Sequence, residues 1–203
     1  MTAERRVAVL ACTAALPAAC GGGSSQPALT TSSLRPLVLQ PAQMQSYAQF
    51  DAGRQSRTDL HRGPRGDATR FGRIGGWKAR YKRAGGTATT AGPLLVESRA
   101  DAFRSGGGAK KDLAAYADEW KQTVTAAGAT AAAYFAVSGL GDEARGVDLV
   151  QGPRATGQRL IVVAWRRGPV TASVSAMGLA SKLTRAPVVA LARKQDAAVE
   201  RAV

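Results

Sequence analysis

Apolar and polar residues alternate most cleanly along 76–82 (GWKARYK). Trp77, Ala79 and Tyr81 fall on one side, Lys78, Arg80 and Lys82 on the other. A period of two predicts a half-buried strand. Turn-forming residues follow at 85–92 (GGTATTAG), and 93–100 (PLLVESRA) predicts the returning strand of an antiparallel pair. The period then lengthens. Across 109–127, Leu113, Tyr116, Ala117, Trp120 and Val124 form one apolar stripe of a helix that Gly128 ends.

Further extended segments are predicted at 133–137 (AYFAV) and 145–151 (RGVDLVQ), joined by the turn 138–144 (SGLGDEA). Residues 158–166 (QRLIVVAWR) are apolar on both faces, which predicts a central strand. After a tight turn at Arg167-Gly168, 169–177 returns with Val170, Ala172, Val174 and Ala176 on one face and Thr171, Ser173 and Ser175 on the other. The stretch 187–202 predicts a final helix, with Val188, Leu191, Ala192, Gln195 and Val199 inward. Ahead of the alternating strand the pattern is weaker. Residues 36–39 (PLVL) read as a short strand and 41–50 (PAQMQSYAQF) as a helix opened by proline. Residues 51–70 hold almost no apolar side chain and read as an exposed basic loop. This order predicts an α+β fold, an antiparallel β-sheet flanked by helices, in one domain spanning 36–203.

The amino-terminal residues follow another logic. Arg5 and Arg6 precede an apolar run at 7–16 (VAVLACTAAL), and small residues lead to Cys20. This is the pattern of an export signal, too short for a bilayer span, which takes about 20 helical residues. The residues Pro17-Ala18-Ala19-Cys20 resemble the lipobox of bacterial lipoproteins. The resemblance implies removal of residues 1–19, diacylation of Cys20, and residence on the outer face of the cytoplasmic membrane. Two acyl chains hold firmly where one is marginal. Residues 20–35, rich in Gly, Ser and Thr, then serve as a lipidated flexible tether of about 20 Å reach. Cys12 and Cys20 are the only cysteines, so on this reading the mature domain holds no thiol for a disulfide or a metal.

The formal charge is +14; the leader carries +1 of it (Arg5 and Arg6 against Glu4), leaving +13. Such an excess points to an anionic partner, phospholipid or wall polymer, and in an exported chain argues against nucleic acid. The candidate contacts are Arg54, Arg57, Arg62 and Arg65 in the basic stretch, and Lys78, Arg80, Lys82, Arg166 and Arg167 on neighbouring strands.

Catalytic motifs are missing from the pattern. His61, the one histidine, sits in the basic stretch and suits neither a packed triad nor a multi-histidine metal site. Residues 106–111 (GGGAKK) lack the spacing and the Ser/Thr of a phosphate loop and read as the start of the long helix. Asp142 and Glu143 read as a turn. No cofactor or metal is expected.

The stretches GRIGGWKARYKR, GPLLVESRADAFR, GLGDEA, IVVAWRRGPVTASVSAMGL and ALARKQDAAVERA cover most of 72–201. They resemble extracytoplasmic lipoproteins of actinobacteria and the sensor domains of their receptor kinases. That resemblance implies a PsbP-like α/β/α sandwich and an extracytoplasmic place. The function expected is that of a non-enzymatic binding, sensor or adaptor domain, with an envelope protein among its partners. The alternatives are an envelope hydrolase working through Glu97, Asp101, Asp142 or Glu143, and a ligand-free spacer.

Overall fold

A computed structural model describes residues 29–57, 67–85, 91–126, 128–153 and 155–203. Within them, seven strands form one sheet: β1 (Tyr47–Gln55), β2 (Arg73–Arg83), β3 (Leu95–Phe103), β4 (Ala131–Ala136), β5 (Glu143–Gln151), β6 (Gln158–Arg167) and β7 (Val170–Leu179). Two α-helices complete the fold, α1 (Gly106–Ala126) after β3 and α2 (Arg185–Glu200) after β7. The spatial order is β1-β2-β3-β7-β6-β5-β4, and every neighbouring pair is antiparallel. Two meanders, β1–β3 and β4–β7, thus meet at the β3–β7 seam, with α1 crossing between them. The α+β class and the flanking helices agree with the sequence pattern.

The two-faced strand explains the layers. From β6, Ile161, Val163 and Trp165 enter the core beneath α2, where Val188, Ala192 and Val199 close over them. Val162 and Ala164 point the other way, against Leu113, Tyr116 and Trp120 of α1. Gly108 lets the first turn of α1 pass the 3-10 turn Ala68–Phe71 closely; a Cβ there would lie 2.2 Å from the Phe71 carbonyl oxygen.

Three expectations are corrected in the segment before β2. Residues 36–39 are not a strand: a 3-10 helix, Thr31–Leu37, buries Leu34 and Leu37 in the core beneath α2, with Val38 and Leu39 beside them. The tether read as 20–35 is therefore docked at its end. The helix read at 41–50 is one 3-10 turn, Pro41–Gln43, followed by β1. Residues 51–55, read as loop, are the second half of that edge strand. Edge strands expose both faces, so YAQFDAGRQ has no alternation to read. The export signal, Cys20, His61, Arg62 and Arg65 lie outside the described residues.

Candidate functional site

One helix cannot cover this sheet. A helix is about 10 Å wide and strands are about 4.8 Å apart, so α1 shields two or three of seven strands. It lies over β5, β6 and β7. It also meets β3, but among the described residues no α-helix covers the same face of β1 and β2, and the side chains there are charged.

Register sets these charges side by side. Asp51, Arg80 and Glu97 occupy one cross-strand row, Lys78 and Arg99 the next, and Gly76 and Asp101 the third. Arg80 Nε donates to Glu97 Oε2 at 2.6 Å, and Lys78 Nζ lies 3.1 Å from Asp51 Oδ2. These pairs are half exposed and contribute at most about 1 kcal/mol each. The third row is different. Asp101 is buried and accepts from Arg73 Nη2 at 2.6 Å and Arg99 Nε at 2.8 Å, while Arg73 Nη1 also donates to the Ser56 carbonyl. Gly76 makes room for it: a Cβ there would sit 2.2 Å from Asp101 Oδ1 and 2.6 Å from Arg73 Nη2. Removing one partner of such a buried pair costs about 3–5 kcal/mol.

Beside the charged rows lies a hollow of 260 Å³. β1 bulges between Gln49 and Asp51, and Phe50, the residue at the bulge, reaches this hollow. Leu95, Leu160 and Met177 complete an apolar lining, with Arg80 and Glu97 at the rim. Phe50, Leu95 and Met177 remain 51%, 41% and 37% exposed. Three large apolar groups left open around one concavity distinguish a docking surface from scattered surface residues. The volume is slightly below the roughly 300–1,000 Å³ of small-molecule sites, which suits one short apolar group.

The nine proposed cationic contacts do not form one patch. Lys78, Arg80 and Lys82 share the open face of β2. Arg166, on β6, is separated from β2 by the two strands β3 and β7 and is bonded to Asp142 Oδ2 at 2.7 Å. Arg167 turns to the α2 side, where Asp196 Oδ2 lies 2.6 Å from Nη2 and Glu200 Oε1 lies 3.0 Å from Nη1. Arg54 Nη2 donates to Thr31 Oγ1 at 3.0 Å, and Arg57 is exposed.

The candidate acids are held similarly: Glu97 by Arg80, Asp101 by Arg73 and Arg99, Asp142 by Arg166, and Glu143 by Arg145 at 2.7 Å. Glu97 and Asp101 lie four residues apart on one strand, about 13 Å between Cα atoms at about 3.3 Å per residue. Among the described residues no group of three or more His, Cys, Asp or Glu is placed for a metal ion. No helix there is long and apolar enough to cross a membrane.

Phe50 and Met177 escaped the sequence reading. The first was hidden in a weak helical pattern and the second at the end of a strand; only the bulge and the β3–β7 register bring them together.

No protein-family model and no curated protein matches the chain. Among solved structures, the crystal structure of the extracellular domain of PknH from Mycobacterium tuberculosis is similar in fold. Its TM-score is 0.61, over 87% of this chain and 99% of that one, at 16% sequence identity. At this identity the likeness concerns the fold.

Proposed function

We propose that this chain is a lipid-anchored, non-catalytic binding or sensor domain on the outer face of the cytoplasmic membrane. It takes a short apolar group into the hollow at the bulge of β1. The observation that carries the reading is the exposure of Phe50, Leu95 and Met177 around one concavity on an otherwise charged half-sheet. Support for the location comes from the leader and Cys20 in the sequence, and from a fold similar to an extracellular domain. On this reading the sheet and its two helical layers are a PsbP-like sandwich.

The end of β1 gives the anchor a direction. Arg54, near the carboxyl end of β1, bonds Thr31, three residues into the described chain. The start of the described chain and the end of β1 thus lie at the same end of the sheet. Arg57, Arg62 and Arg65 follow this end of β1 in the sequence, and on this reading each adds about 1 kcal/mol of attraction to anionic headgroups.

The test is mass spectrometry of the chain made in its native membrane, as wild type and as Phe50→Asp/Met177→Gln. Acylated Cys20 and a co-purified small molecule lost only from the variant are the expected results. An unmodified Cys20 with residues 1–19 attached overturns the anchoring. A ligand retained equally by the variant overturns the site.

A further inference from the structure

A second concavity lies on the opposite side of the sheet. At the end of β1 and β2 remote from Thr31, a cleft of 570 Å³ opens between residues 91–93 and α2. Tyr47, Pro187 and Leu191 give it an apolar floor, and Arg83, Lys182 and Lys194 supply its charge. Among the described residues no carboxylate lines it, and the first turn of α2 holds no acidic residue.

Several arginines of the sheet are paired with acids. Arg73, Arg80, Arg159 and Arg167 each meet a carboxylate oxygen at 2.6 Å. Arg83 is held by neutral acceptors instead. Its Nε donates to the Pro93 carbonyl at 2.9 Å, and its Nη2 to Tyr47 Oη and the Ala91 carbonyl at 3.0 Å each. Its guanidinium also lies 5.0 Å from the centre of the Tyr47 ring. Neutral acceptors orient a cation without cancelling its charge, and a cation fixed in advance loses little freedom when an anion arrives. The cleft volume is within the range of small-molecule sites.

We propose that this cleft binds a small amphipathic anion, its charged head at Arg83, Lys182 and Lys194 and its apolar body against Tyr47, Pro187 and Leu191. Eight residue steps of β1 separate Tyr47 from Gln55, about 26 Å at about 3.3 Å per residue. On the membrane orientation proposed above, the cleft therefore opens away from the bilayer and draws on dissolved ligand. That clause alone rests on the anchoring reading.

The experiment is calorimetric titration of the full chain with 1-naphthyl phosphate, inorganic phosphate and 1-naphthol, and with phosphatidylglycerol vesicles. Saturable binding of 1-naphthyl phosphate is expected, weakening with salt. Lys182→Ala/Lys194→Ala should weaken it at least about tenfold, since a hydrogen bond to a charged group carries that much. Lys110→Ala/Lys111→Ala, which alters two exposed lysines of α1, should leave it unchanged. Equal loss in both double variants, no saturable binding, or equal affinity for phosphate or naphthol alone overturns the proposal. Vesicle binding that depends on Lys182 and Lys194 overturns the dissolved-ligand clause and leaves the anion site standing. Neither outcome bears on Cys20 or on the hollow at Phe50.

Discussion

Removing the Asp196 carboxylate should be among the most damaging polar changes in this protein. Asp196 is buried on α2 and accepts from three residues on two segments, β6 and the turn before β5. Trp165 Nε1 donates to Oδ1 at 2.9 Å, Arg167 Nε and Nη2 donate at 3.0 and 2.6 Å, and the Gly141 amide donates at 3.1 Å. Asp196→Ala leaves the indole N–H of a fully buried tryptophan without a partner, at about 1–3 kcal/mol, and strips Arg167 of its closest counter-charge. Together the loss should be about 3–5 kcal/mol. At about 2–4 °C per kcal/mol for a chain of this size, Tm falls by about 6–20 °C. Glu200→Gln removes the other, exposed partner of Arg167 and should cost under about 1 kcal/mol.

The pH dependence separates charge from packing. Burial pushes the Asp196 carboxyl up, but hydrogen bonds from Arg167, Gly141 and Trp165 and the charge of Arg167 outweigh it and hold the group below the ordinary carboxylate range. A depressed folded pKa means that the stabilisation is complete above the unfolded value, about 4, and is lost as pH falls through the folded one. Circular-dichroism melts should show the full gap between wild type and Asp196→Ala at pH 7, narrowing below about pH 4. Asp148, held low by Arg159 and Arg185 against its burial, titrates in both proteins and cancels from the gap. A variant melting within a degree or two of wild type at pH 7, or a gap indifferent to acid, would refute the reasoning.

Other substitutions probe the rest of the frame. Trp120→Ala empties the centre of the α1 contact with Val147, Leu149 and Val162, and should cost about 3–5 kcal/mol in chemical denaturation; an unchanged midpoint would contradict the packing. Gly76→Ala drives a methyl into the Arg73–Asp101 pair and should lose about 3 kcal/mol or more, whereas Gly53→Ala, with open space around its Cβ, should gain about 0.5–1 kcal/mol; similar midpoints for the two would defeat the steric account. Burial pushes the Tyr81 phenol, which donates to the Leu39 carbonyl at 2.5 Å, up to about 12. Its contribution to stability is complete below about pH 10 and is lost as pH rises through about 12, so absorbance titration should show a phenol near 12 that Tyr81→Phe removes, while Tyr47, which burial also pushes up, stays late in both proteins.

The half-open sheet connects these energetics with binding. Where α1 covers the sheet, Val147, Leu149, Val162 and Ala164 fill the interface with hydrocarbon. Where it does not, Lys78, Arg80 and Glu97 face water in compensated pairs, and only the hollow at Phe50 interrupts them. Paired charges such as these attract a free anion less than the net charge of the chain suggests. At the cleft beside Arg83 the lining, among the described residues, holds cations and no carboxylate.

Periodicity by itself determined the strands at 76–82, 158–166 and 169–177, both helices and the α+β class, because side-chain direction repeats with local backbone geometry. It failed from 36 to 55, where an edge strand with a bulge and a proline-punctuated 3-10 segment carry no regular period. Tertiary structure alone decided the β3–β7 seam, the three-way grip of Asp196, and the fate of the cations. Arg73 and Asp101 are 28 residues apart and Arg167 and Asp196 are 29, yet each pair closes to 2.6 Å. Counting charges along a chain measures supply, whereas Coulomb attraction and hydrogen bonding depend on separation in space, which only the folded sheet sets.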